Sequence, residues 1–292
     1  MAATLKAIKP DEFDENNMIF EEIKEGSIGS GKQAVKFKRV VIKYRQKDGK
    51  IVPLIIGTPP LFSYGVMENT SLETKKVTGY SLALYLPSDK KEEKKEGKEE
   101  KADKSKKAEV KLHPLEDALH RARKRVVDFM IANAEALELG DFDEAAAKHI
   151  LPSLINVPKE KTKKHIKRLF PHLMWYGPSD KGPEKMLTKF QKVVSLGMPG
   201  EDPKLEPLDP KTCIGACKAI AGLQIDNLFV GAKVKSIQMK CPQALIMDDT
   251  SATASKDLLK DQLEELKKQL AELNLGEAPE GGESGDNPEQ II

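Results

Sequence analysis

Hydrophobic and polar positions alternate most clearly over residues 36–45. Successive side chains of a strand point to opposite faces. One face therefore carries Phe37, Arg39, Val41, Lys43 and Arg45, and the other Lys36, Lys38, Val40, Ile42 and Tyr44. Asp48-Gly49 follows, between two β-rich runs, and predicts a type I′ hairpin. The apolar run 51–56 predicts a strand buried on both faces, with Pro53 pointing to an edge or a bulge. Pro59 and Pro60 break it, and strands over 61–67 and 80–86 complete a compact meander.

The pattern then changes. Residues 88–111 are almost entirely Lys and Glu, a composition that buries too little surface to offset its ordering entropy. They predict a disordered loop or solvated helix that splits the fold. Leu115, Leu119, Ala122, Val126, Met130 and Leu137 form a stripe at helical spacing, and Pro114 suits a first helical position. A helix is expected over 114–139, stopped by Gly140, and a shorter one over 142–150. Strands are expected over 169–176, 189–198, 223–230, 234–239 and 244–247, with a long loop at 199–210. Residues 213–220 fit no class. A final helix is expected over 255–273. The whole reads as an α+β chain with a β-rich core: a flexible leader (1–33) with one short strand around 18–23, a main domain (34–250), a leucine-rich helix (251–275) and an acidic disordered tail (276–292).

The length of 292 residues suits one large domain or two ordinary ones. Formal net charge is only +2, but residues 254–292 carry four Lys against ten Asp or Glu, which leaves the rest of the chain at +8. Three cysteines, Cys213, Cys217 and Cys241, give an odd count and loose spacing, against a secreted disulfide framework. Neither a signal-peptide run nor a membrane-length apolar stretch is present, so an intracellular, soluble chain without membrane contact is expected.

Catalytic chemistry finds little support. The segment Gly26-Ser27-Ile28-Gly29-Ser30-Gly31-Lys32 has phosphate-loop spacing. Such a loop then needs Ser or Thr at position 33, where Gln33 stands, together with a preceding apolar strand and a following helix. A flexible Gly/Ser connector is the better reading. The cysteines lack a fourth zinc ligand at paired spacing and read as small buried thiols. No enzyme, cofactor or metal is expected.

Nucleic-acid chemistry finds more. A single-strand groove needs cations that track phosphates and flat rings on which bases stack. The strand face Phe37, Arg39, Lys43 and Arg45 supplies both, and Phe62, Tyr64, Tyr80 and Tyr85 lie on neighbouring strands. Lys163, Lys164, Lys167 and Arg168 form a second basic cluster, with Trp175 and Tyr176 just beyond. Lys233, Lys235 and Lys240 form a third, on the late strands. For any one of these residues, an aromatic in the core or a solvated cation is the alternative. Leu259, Leu263, Leu266, Leu270 and Leu273 form a heptad seam, which points to a homo-oligomer or a partner protein.

The block VKFKRVVIKYRQKDGKIVPLIIGTPPLFSYGVMEN…GYSLALYL, the long helix after it and the late pair GLQIDNLFVGAKVKSIQMKCPQALIM resemble the OB-fold single-stranded DNA-binding proteins of nucleocytoplasmic large DNA viruses. The likeness is one of pattern over roughly 34–247, without a short diagnostic motif. It implies an OB-like β-barrel core with helical insertions and single-stranded DNA as partner. It also implies a role in viral DNA replication, repair or recombination, located in a host cytoplasmic factory, the nucleus or the virion. The acidic tail is expected to recruit replication partners. A virion structural or scaffold protein acting through protein contacts is the alternative function.

Overall fold

The computed structural model describes residues 7–28, 34–71, 74–87, 113–158, 166–178, 183–195 and 204–248. The chain divides into two units after Asp248, and all of these residues belong to the first. The charged insertion, Lys163, Lys164, the leucine seam and the acidic tail lie outside the described residues.

In chain order the strands are β1 (Met18–Phe20), β2 (Lys24–Ile28), β3 (Val35–Arg45), β4 (Ile51–Pro53), β5 (Ile55–Gly57), β6 (Leu61–Thr70) and β7 (Val77–Leu86). Helices α1 (Pro114–Ala132) and α2 (Glu144–Ile150) follow. Then come β8 (Lys167–Leu169), β9 (His172–Leu173), β10 (Trp175–Tyr176), β11 (Lys185–Met186), β12 (Lys189–Ser195), β13 (Lys204–Pro207), β14 (Ile214–Gly231), β15 (Lys235–Cys241) and β16 (Gln243–Asp248). The chain is thus mostly β with two helices among the described residues, an α+β protein.

The organising element is β14. Its first half is rich in Gly, Ala and Cys, which hides the period of two. Yet Cys217, Ala219, Ala221, Leu223 and Ile225 are all buried. Asp226 is the extra residue of a bulge against β15 and shifts the phase, so Leu228 and Val230 rejoin the buried face. Through its length β14 pairs with β6, β16, β5, β3 and β15. Five strands form a ring: β14 pairs with β6, β6 with β7, β7 with β9, β9 with β15, and β15 with β14. The β9–β15 pairing is parallel and the other four are antiparallel.

Helix α1 begins as its sequence predicts. His113 caps it, Pro114 opens it, and Leu115, Leu119, Ala122, Val126 and Met130 are buried. Each fully buried Leu or Met contributes roughly 1.5–3 kcal/mol. The helix ends at Ala132, seven residues before the expected stop, where the Asn133 amide donates back to the Phe129 carbonyl (2.9 Å). Leu137 is buried from the turn that follows.

Several other expectations are corrected. Residues 7–28 are integrated into the fold instead of forming a flexible leader. Phe13 and Met18 are each 3% exposed, β1 and β2 both pair with β3, and the Phe20 ring stacks on Phe129 of α1 at 4.2 Å. The Asp48-Gly49 turn has a positive φ only at Gly49 (+81°), whereas type I′ needs two such residues. With Gly49 N–H donating to the Gln46 carbonyl, it is a type I turn closed by a left-handed glycine. Residues 51–57 are buried on one face only. Around Pro53, which has no N–H to donate, the chain passes from β4, paired with β3, to β5, paired with β14. The predicted strand over 169–176 is three short ones, interrupted at Pro171 and Met174. Among the described residues no helix is long and apolar enough to cross a membrane.

Candidate functional site

The β3 alternation sorts as its pattern predicts. Val40, Ile42 and Tyr44 are buried, while Arg39 and Arg45 are exposed and Phe37, Val41 and Lys43 are half-buried on the opposite face. That outward face continues in register across the sheet. Arg39 lies opposite Phe229, which lies opposite Ser236, and Val41 opposite Asn227, which lies opposite Gln238. Phe37 stacks on Phe229 at 5.1 Å and covers Gly26 so closely that a Cβ there would lie 2.4 Å from the ring.

The cations of this face are engaged. Arg39 donates to Asp226 (3.1 Å), Lys240 approaches the same carboxylate at 2.8 Å, and Lys43 pairs with Glu21 at 3.2 Å. Burial works against the Asp226 charge. Hydrogen bonds from Lys240 and Asn227, and the charges of Lys240 and Arg39, outweigh it and hold the carboxyl below the usual range.

A second aromatic group lies on β6 and β7. Phe62, Tyr64 and Tyr85 pack edge to face with centroids 4.9–5.7 Å apart, and Tyr64 is 55% exposed. One row runs Lys218, Phe62, Tyr85, Arg168 across β14, β6, β7 and β8. The Arg168 guanidinium lies 6.0 Å from the centroids of both Tyr85 and Phe170, and its buried Nε has no hydrogen-bond partner among the described residues. A bulge in β6 sits beside Tyr64. There Gly65 has φ +85°, and a Cβ would lie 2.2 Å from the Cys213 carbonyl oxygen, which accepts from Val66 N–H (2.8 Å).

Between these regions lies a groove of about 380 Å³ lined in part by Tyr80, His172, Trp175, Gln238 and Lys240. His172 sits in a row with Ser81 and Lys240. Partial burial and the Lys240 charge hold its imidazole below the ordinary pKa. The Trp175 ring meets Tyr80 edge-on at 5.5 Å, and its Nε1 donates to Glu184 (3.3 Å). Tyr176 is 64% exposed.

The remaining expected residues divide. Lys233 is exposed at the β14–β15 turn and Lys235 is half-buried beside it. Lys167 does not join Arg168 on the surface, because its ammonium reaches the buried Glu116 at 2.8 Å. The Gly26 motif runs from β2 towards β3, so a strand follows it where a phosphate loop needs a helix. The three thiols are buried and unbridged, and burial pushes Cys241 up to about 12. No cluster of metal-ligating side chains occurs among the described residues. Sequence reasoning missed Asp226, Gln238, His172 and Phe229, and it placed Lys240 only within a basic cluster. The alternation of Gln224, Asp226 and Gln238, Lys240 on two strong strands was the available signal.

Fold and site together define an α+β protein with a five-strand ring and with aromatic and basic side chains on exposed faces of its sheet. Residues 12–274 match the family DUF2738, described as a protein of unknown function, and the chain belongs to that family. Among curated proteins none matches it.

Proposed function

We propose that this protein binds single-stranded DNA along the outer face of an OB-like barrel, as a non-enzymatic protein of DNA replication, repair or recombination. The observation that carries the reading is the Phe62, Tyr64 and Tyr85 group edged by Arg168. Three rings on a sheet surface offer π-faces to unpaired bases, and stacking is tolerant of sequence because every base has such a face. Arg168 adds a cation whose Nε has no acceptor among the described residues. The ring order supports the barrel. Counted along the chain, its strands run first, second, third, fifth, fourth and back to first, with third and fifth parallel. An OB barrel closes in that order and binds oligonucleotides on its outer surface. Arg39, Lys43, Lys233 and Lys235 then serve the sugar–phosphate path.

Fluorescence anisotropy with matched single-stranded and duplex oligonucleotides at two salt concentrations tests the reading. Single strands bind more tightly, and binding weakens steeply as salt rises. Equal affinity for the two forms at matched salt overturns it.

A further inference from the structure

We propose that the groove between β7, β9 and β15 takes one unstacked carbonyl-bearing base of the bound strand, read along its carbonyl edge by His172 and Gln238 beside the Trp175 ring. This rests on the single-strand reading above and deepens it, because it adds a position at which the strand is recognised by base.

The volume of about 380 Å³ lies within the few hundred that small ligands occupy, and aromatic walls with a few convergent polar groups are what such a site needs. The polar groups present one kind of edge. The Asn69 amide nitrogen donates to Ser81 Oγ (2.9 Å), and both groups face His172 Nδ1, at 3.4 and 3.3 Å. With that amide nitrogen turned towards the ring, Nδ1 accepts and the proton of the neutral imidazole sits on Nε2. Gln238 Oε1 accepts from the Asn227 amide (3.0 Å), which leaves the Gln238 amide nitrogen as the outward donor. Lys240 brings a third donor, held by Asp226. These three donors suit base carbonyls, which thymine, cytosine and guanine possess and adenine lacks. Adenine also presents its own amino donor.

The groove is also reachable from the stacking group. Tyr85 and Ser81 lie on the same side of β7, four residues and roughly 13 Å apart at ~3.3 Å per residue, and Ser81 pairs with His172. A strand stacked at Tyr85 therefore passes the groove mouth.

Trp175 is the single tryptophan of the chain, so its emission reports on this groove alone. The full-length protein is titrated with thymidine and deoxyadenosine homopolymers, following oligonucleotide anisotropy and Trp175 emission together. Thymidine oligomers quench Trp175 and bind on the order of fivefold more tightly than deoxyadenosine oligomers, the worth of about one hydrogen bond. In His172→Ala, and independently in the near-isosteric Gln238→Leu, that ratio falls towards one, with folding checked by circular dichroism. Saturable anisotropy without any change in Trp175 emission overturns the groove and leaves the single-strand reading standing. A thymidine preference that survives both substitutions does the same. No anisotropy change with any oligonucleotide removes both.

Discussion

The β3 face and the β6–β7 face are built from the same two residue types and differ in what their cations touch. On β3, Arg39 and Lys43 meet Asp226 and Glu21. On the inner side of the same strand Lys38 donates to Glu138 and to the Ala136 carbonyl, both at 2.7 Å. Beside β6–β7, Arg168 lies over rings, and its Nε has no hydrogen-bond partner among the described residues. Exposed ion pairs contribute only ~0–1 kcal/mol, so β3 cations remain open to exchange partners. Each must nevertheless release a carboxylate to take a phosphate, which shrinks the net gain. Arg168 has no carboxylate partner to release among the described residues, and a hydrogen bond from a charged group to an incoming acceptor contributes ~1.5–3 kcal/mol. Aromatic and basic composition alone therefore does not rank binding surfaces; the counter-charge does.

The largest expected effect follows from that ranking. Tyr64→Ala combined with Arg168→Ala weakens single-strand binding by about 100-fold, from ~1–3 kcal/mol of stacking and a similar loss at the arginine. Arg39→Ala combined with Lys43→Ala weakens it only about threefold at the same salt, because the freed carboxylates are a smaller change. Anisotropy titrations of both double mutants compare the faces directly. Equal losses erase the distinction, and a larger loss on β3 reverses it.

Next in size is the bulge that flanks Tyr64. Gly65→Ala places a Cβ against the Cys213 carbonyl in a left-handed backbone, and it should destabilise the protein by at least ~2 kcal/mol. Urea denaturation measures it. A variant as stable as the parent would show that the bulge relaxes freely, so that the β6–β7 face is less rigid than its geometry suggests.

A smaller effect concerns salt. Each phosphate contact on a single strand contributes a slope of ~0.7 in the logarithmic salt dependence. Removing Arg39 and Lys43 should therefore lower the slope by clearly less than ~1.4. A drop of that full size means both residues contact phosphate in the complex despite their carboxylate partners.

How far these two faces were legible in the sequence differs in the same way. The β3 face follows from a period of two in a strongly β-branched run, so its outward residues were readable from order alone. The partners that neutralise it are remote: Asp226 lies 187 residues from Arg39. No local pattern joins them. The first half of β14 was unreadable because Gly, Ala and Cys mark neither strand nor helix, although its burial alternates. Lys167 and Arg168 read as one basic unit, yet neighbours on a strand face opposite ways, and only Arg168 reaches the rings while Lys167 turns to Glu116. The groove joins β7, β9 and β15, and β9 is two residues long, too short for any periodicity to mark.

The smallest effect tests the seam between the two faces. His172 carries a folded-state pKa below the ordinary value of 6.5, first through partial burial and then through the Lys240 charge. A depressed imidazole stays neutral in the fold while the unfolded chain takes up a proton. Stability therefore falls as pH drops through the unfolded pKa, and the fall levels off only below the folded one. Asp226 is held below the usual carboxylate range and so stays charged across this window. In His172→Gln the imidazole component is absent. Urea midpoints at about pH 7.5 and about pH 5.5, either side of the ordinary imidazole pKa, should therefore separate more in the parent than in the variant. The variant retains a polar side chain of similar reach, so the comparison isolates protonation from packing. An equal separation in the two proteins would mean that the His172 ring titrates as it does in water, and that Lys240 does not press on it across the β9–β15 pairing.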